Sequence, residues 1–398
     1  MLALRRARMA ASPPFLRGGF RPFFFLGALW AIVALVLWIL VLWGALTLPS
    51  IFDPLAWHRH EMLFGFVGAI VAGFLLTAIP NWTGRLPIAG LPLATLAGLW
   101  AAARLAMLFS AVTGQMVAAL LDVGFYLVLA GFAAREVLAA KNRNLPLVGM
   151  VLLLGAADAT DHAGALGLLS DPDIGVHAAI ALIVIMISLV GGRIIPSFTR
   201  NWMTKQGIVE RLPSQPTRLD ILVLGLSGAA LLAWVALPDS RAGGWLLVSA
   251  GLSQALRLSR WGGFRSARDP LVFILHVGYL WVPIGLLLLG VSIMDAAIPR
   301  SAAIHALTAG AMSTMILAVM TRATLGHTGR ALVATSRTTI LYCLVTLGAL
   351  LRVAAGLGLI DYAIGRDAAA AAWVSAFILF LAIYGPMLFG ARLGDENS

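Results

Sequence analysis

Residues 60–85 read HEMLFGFVGAIVAGFLLTAIPNWTGR: a histidine and a glutamate, then an uncharged run from Met62 to Ile79, then a polar exit through Pro80, Asn81, Trp82, Thr83 and Gly84 to Arg85. A helix rises 1.5 Å per residue, so about 20 apolar residues cross the ~30 Å hydrocarbon layer of a bilayer. A water-facing helix would place polar groups on one side every three or four residues, and this run does not. Runs of roughly 18 or more apolar residues recur along all 398 residues, which are 61% hydrophobic and 11% charged, with a mean hydropathy of +0.94. A soluble domain could not hide that much apolar surface, and the short alternating segments of a β-barrel are absent. The expectation is an all-α polytopic membrane protein, one integral membrane domain over 1–398. About twelve spans are expected, near 23–46, 61–80, 91–110, 115–135, 145–168, 175–197, 219–238, 243–260, 270–292, 299–321, 338–358 and 369–391.

The formal charge of +11 does not point to nucleic acid, because the basic residues sit between the spans and form no tract. Arg85, Arg135/Lys141/Arg143, Arg200/Lys205/Arg211/Arg218, Arg257/Arg260/Arg265/Arg268 and Arg322/Arg330/Arg337 fall on one side of the threading, together with the basic N-terminus (Arg5, Arg6, Arg8, Arg17, Arg21). The other side holds Arg59, Arg241, Arg300 and Arg366 among seven aspartates: Asp53, Asp171, Asp173, Asp239, Asp295, Asp361 and Asp367. The positive-inside rule makes the first side cytoplasmic, with both termini inside. The apolar stretch after the N-terminal arginines is too long for a signal peptide and is expected to be retained. The single cysteine, Cys343, excludes an internal disulfide and a cysteine metal cluster.

The opening stretch also repeats. His60 precedes Thr83-Gly84-Arg85 by the same interval that separates His305 from Thr328-Gly329-Arg330, and His177 leads to a related exit at Pro196-Ser197-Phe198-Thr199-Arg200. Spans three and eleven each carry an arginine in their outer half, Arg104 and Arg352, where span seven has Trp234. These matches predict three pseudo-symmetric four-helix units, about 20–140, 141–265 and 266–392. Each has an even number of spans and so inserts in the same orientation.

On this topology His58, His60, His177 and His305 lie at the outer ends of spans two, six and ten, and His162 in the outer half of span five. Neutral imidazole is the usual nitrogen ligand of haem iron and of copper. Residues two apart on a helix point about 200° apart, so His58 and His60 serve separate centres or separate roles. Glu61 is a candidate hydrogen-bond partner for an imidazole, or a proton carrier. His60 and His305, on repeat-related helices, are candidate axial ligands of one haem, with Arg104 and Arg352 as partners for its propionates; both arginines could instead snorkel to the surface. Asp158 and His162 share a helical face, with Asp161 one step round and His177 on the next span. Two imidazoles and carboxylate suit copper or non-haem iron, and they equally suit a polar cluster tying two helices. Gly191-Gly192-Arg193 reads as close helix packing.

Phe20-Arg21-Pro22-Phe23-Phe24, Trp57 to Met62, Pro80 to Gly84, Gly191 to Thr199 and His305 to Gly310 occur in an order that resembles the NnrS family of bacterial membrane proteins, over nearly the whole chain. The resemblance implies a protein of the bacterial inner membrane that carries haem, of b-type, and copper. It also implies protection against nitrosative stress, with nitric oxide or a related small molecule as ligand. Twelve spans in three arcs are similar to the main subunit of haem-copper oxidases. The adjacent histidines that subunit carries on span seven are missing here, so the likeness is one of fold only. Three functions stand open: a nitric-oxide-metabolising oxidoreductase fed by a quinol or a cytochrome, a haem or copper sensor without turnover, and a proton-coupled transporter.

Overall fold

The computed structural model describes residues 9–214 and 216–394; Arg5, Arg6 and Arg8 and the Asp395–Ser398 tail lie outside them. Every regular element among the described residues is helical. The long helices are α1 (Phe20–Leu42), α2 (Pro54–Thr83), α3 (Leu91–Leu108), α4 (Gln115–Ala139), α5 (Leu145–Ala165), α6 (Ile174–Lys205), α7 (Arg218–Ala236), α8 (Arg241–Ser259), α9 (Pro270–Met294), α10 (Arg300–His327), α11 (Ser336–Gly356) and α12 (Tyr362–Phe389). Ten of them are long and apolar enough to cross a membrane. The other two, α5 and α8, are diluted by polar residues that turn out to matter: Asp158, Asp161 and His162 in α5, Gln254 and Arg257 in α8.

Helix ends follow local chemistry. Asp53 caps α2 by accepting from the backbone N–H of Leu55 and Ala56, and Pro54 takes the first turn, where its missing N–H costs nothing. Asp269 and Pro270 repeat the arrangement at α9, while Thr217 and Asp220 form a capping box at α7. Gly84 closes α2 in the left-handed region, φ 67°, which a side chain would resist.

Two helices are interrupted in the same way. A wider π turn occupies Glu61–Val67 directly after His60, and another occupies Ala306–Met312 directly after His305. Such turns insert a residue into the α-helical ladder and cluster at functional sites.

Contacts divide the described residues into two compact units: those up to 179 with 323–331 and those from 380 onward, and those within 180–322 and 332–379. In the first, Arg21 donates to the carbonyls of Met387, Leu388 and Gly390, satisfying the C-terminal end of α12, and Phe15 stacks on Phe389 at 4.3 Å. In the second, α8 and α9 pack backbone to backbone: a Cβ on Gly290 would sit 2.6 Å from the carbonyl oxygen of Gly244. The buried Arg257 donates to Asp220 at 2.8 Å, to the Ser188 carbonyl at 2.9 Å and to Tyr279 Oη at 3.0 Å. Gly192 lies against that guanidinium with no room for a side chain, which gives the Gly191-Gly192 pair its packing role.

Candidate metal centre

The centre is built in the first unit, around the π turn of α2. The turn is held open by its neighbours. The carbonyl of Phe64 accepts from Tyr126 Oη at 2.8 Å and that of Gly65 from Trp100 Nε1 at 2.9 Å, so side chains supply bonds an α-helix would make internally. Glu61 points into the same space. Its Oε2 accepts from Trp30 Nε1 at 2.6 Å and from Arg104 Nη1 at 2.8 Å. A Cβ on Gly65 would lie 2.5 Å from that oxygen and 2.6 Å from Arg104 Nη1, so only glycine admits this junction.

His60 stands at the middle of the cluster. Its Nδ1 meets Asp161 Oδ2 at 2.7 Å, and its Nε2 meets Asp122 Oδ2 at 2.8 Å and lies 3.6 Å from Asp158 Oδ1. His162 Nε2 is 3.9 Å from both Asp122 Oδ2 and Asp158 Oδ1, beyond hydrogen-bond reach. Arg104 completes the ring of contacts by pairing with Asp122 as well as Glu61. His60, Glu61, Asp122 and Asp158 are fully buried and Arg104 is 1% exposed. Gly175, at the start of α6, presses against the α5 backbone at Ala157 and Asp161, sealing this side.

Four carboxylates stand against the Arg104 guanidinium and a His60 ring with a carboxylate on each nitrogen, which leaves a surplus of negative charge in a water-poor space, costly unless protons or a cation neutralise it. The geometry admits a cation. One donor atom from each of His60, Asp122, Asp158 and His162 lies within 4.8 Å of every other. The separations of 2.8 to 3.9 Å bracket the about 3.4 Å edge of a tetrahedron with metal–ligand bonds near 2.1 Å. Among the described residues, both oxygens of Asp158, both ring nitrogens of His162 and Oδ1 of Asp122 are buried without a hydrogen-bond partner. Buried polar atoms are rarely left so, and here they converge. The contact of His60 Nδ1 with Asp161 is the kind of carboxylate support that orients a ligating imidazole.

The structure thus joins His60, Asp158, Asp161 and His162, which the sequence singled out, with Asp122, which it did not. Asp122 lies inside the apolar helix α4, and a carboxylate there is itself a signal of function. Glu61, expected beside an imidazole, binds Arg104 and Trp30 instead. Arg104, expected at a haem propionate, is held between two protein carboxylates. His60, expected as an axial ligand, has both ring nitrogens on carboxylates, so iron would have to displace Asp122. His58 stacks on Trp38 at 4.8 Å, and His177 stands outside the four-residue group.

His305 and Arg352 belong to the second unit. His305 Nδ1 lies 2.6 Å from the Ser301 carbonyl; a carbonyl only accepts, so Nδ1 carries the proton and Nε2 keeps its lone pair. Arg352 is close enough to act on His305 electrostatically, and its Nη1 is buried without a hydrogen-bond partner among the described residues.

A family model described as NnrS protein matches residues 14–392. The chain belongs to the NnrS family. The NnrS match takes in all twelve long helices and every residue of the cluster. NnrS membership supports a role in the response to nitric oxide. No curated protein matches the chain.

Proposed function

We propose that the protein acts in the nitric oxide response as a metal-loaded membrane protein, with copper or non-haem iron between His60, Asp122, Asp158 and His162. The convergence of unpartnered donor atoms on Asp158, His162 and Asp122 carries this reading. Two imidazoles and two carboxylates form a donor set that suits either metal. Held by these residues, such an ion would supply one-electron chemistry toward a small ligand such as nitric oxide. The protein's own part is orientation and neutralisation. Asp161 fixes the His60 ring, Arg104 offsets the charge of Asp122 and Glu61, and the aromatic wall of Trp30, Phe52 and Phe64 keeps water out.

Haem belongs, in this proposal, to the second unit. His305 offers Nε2 with its other nitrogen already tied to a backbone carbonyl, as axial histidines do, and Arg352 offers an unpaired donor to a propionate. The haem is held without a pair of thioether links, since the chain has a single cysteine, Cys343. The chain crosses the bacterial inner membrane twelve times with both termini cytoplasmic, α5 and α8 crossing despite their polar residues. It is built of three four-helix repeats, and the paired π turns after His60 and His305 support the relation between the first and the third. Electrons come from a quinol or a cytochrome.

The deciding experiment is an absorption spectrum, oxidised and reduced, with iron and copper quantified on protein purified in detergent from cells supplied with haem and copper. Stoichiometric metal lost in the paired Asp158→Asn and His162→Ala variant, and a Soret band lost in His305→Ala alone, are the expected results. A colourless, metal-free protein would overturn the proposal. It would favour a proton-coupled transporter, for which the buried carboxylates of α4 and α5 are equally apt.

A further inference from the structure

The second unit carries an exposed cationic surface that the metal chemistry does not use. It is formed by two segments, the connection 206–217 between α6 and α7 and the turn 260–269 between α8 and α9. Arginine side chains tie the two together. Arg265 Nη1 donates to the carbonyls of Glu210 at 3.0 Å and Arg211 at 2.7 Å, and Arg260 reaches Ser214 Oγ at 3.2 Å and Thr217 Oγ1 at 3.3 Å. Arg200 adds a longer contact to the Pro213 carbonyl.

Tying the segments fixes what they display. Lys205, Arg211, Arg218, Arg265 and Arg268 are exposed, against one exposed carboxylate, Glu210. Arg211 is held at φ 47°, a left-handed conformation unusual for a residue with a side chain. Its carbonyl and that of Glu210 are the two Arg265 grips, so the strained backbone is kept by a specific contact, and the Arg211 side chain is left exposed. Among these charges stand two apolar side chains in the open, Phe264 at 92% exposure and Val209 at 71%. Cations interleaved with an exposed aromatic and an aliphatic side chain, at the ends of α6, α7, α8 and α9, match the phosphate and upper acyl region of a lipid.

We propose that this surface is a binding site for anionic phospholipid. A doubly charged diphosphatidylglycerol headgroup would be held between Arg211, Arg218 and Arg268, with Phe264 and Val209 entering the acyl boundary. Charge complementarity selects the headgroup: zwitterionic lipid offers no net charge to so one-sided a cluster.

The test uses the full chain in detergent, titrated with tetraoleoyl cardiolipin or with dioleoyl phosphatidylcholine and read by native mass spectrometry. The wild type should bind cardiolipin in preference to phosphatidylcholine. The triple variant Arg211→Gln, Arg218→Gln, Arg268→Gln removes charges that make no contact holding the two segments together. It should bind cardiolipin roughly a hundredfold more weakly, about fivefold for each arginine. Phe264→Ser should weaken binding of both lipids, and an unchanged thermal midpoint for each variant shows that the fold survives. Equal affinity for the two lipids, or full cardiolipin affinity in the triple variant, would overturn the proposal and leave the surface to an acidic protein.

Discussion

Asp122 and Asp158 face the same buried space and should respond to mutation in opposite ways. Asp122 is paired: its Oδ2 meets both Arg104 and His60. Asp122→Ala leaves a buried guanidinium short of a partner, a defect worth about 3–5 kcal/mol. A marked fall in the thermal midpoint is expected, and an unaltered midpoint would refute the ion-pair account. Asp158 lacks a hydrogen bond on either oxygen. Asp158→Asn removes a buried charge at little structural cost, so the metal-free protein should melt no lower, and preferably higher, while bound metal is lost. Lower stability with metal retained would make Asp158 a structural residue. Gly65→Ala should behave like neither. Its added carbon meets Glu61 and Arg104 head on, and the overpacking should cost about 1–3 kcal/mol.

The π turn of α2 sets the phase between His60 and the rest of its helix. Each residue inserted in a helix rotates the later residues by about 100°, so the extra residue decides which face of 68–83 accompanies His60 inward. Deleting Leu63 should let the segment close into regular α-helix and swing His60 away from Asp122 and Asp161. Metal content should then vanish while the protein still inserts and keeps its helical circular dichroism; retained metal would mean the turn is incidental. Tyr126→Phe is the milder probe. It strips the Phe64 carbonyl of its donor, for an expected loss of about 1 kcal/mol. The repetition of the turn after His305 shows where the two helices agree, and their next residues show where they part: Glu61 in α2, Ala306 in α10. One is set among carboxylates and an arginine, while in the other Gly310 packs on the ring of Trp281.

Across the whole molecule, the polar helices α5 and α8 decide the topology. If both cross, a periplasm-active reporter fused near residue 170 is active and one fused near residue 212 is silent; if α5 lies flat, the two exchange. The expected pattern is active at 170, silent at 212 and active at 297. Arginine placement alone dictates that pattern, so the fusions test the threading expected from the sequence. Buried polar groups explain why α5 and α8 fall outside the ten apolar candidates: α5 brings Asp158, Asp161 and His162 into the first unit, and α8 brings Gln254 and Arg257 into the second.

By itself the sequence determined that the chain is helical and rich in segments long and apolar enough to cross a membrane, because run length against bilayer thickness and backbone hydrogen bonding in lipid are properties of local segments. It also pointed to His60, Asp158, Asp161 and His162, since ionisable groups are rare in such segments and stand out. Their partners were another matter. Asp122 has no histidine in its helix and no repeat in register to mark it, and Arg104 was read by its depth rather than by what it faces. Which side chains meet depends on how each helix is rotated about its axis. A π turn shifts that rotation without leaving any trace in composition, so only the tertiary structure decided that Arg104, Asp122 and His60 share one buried centre.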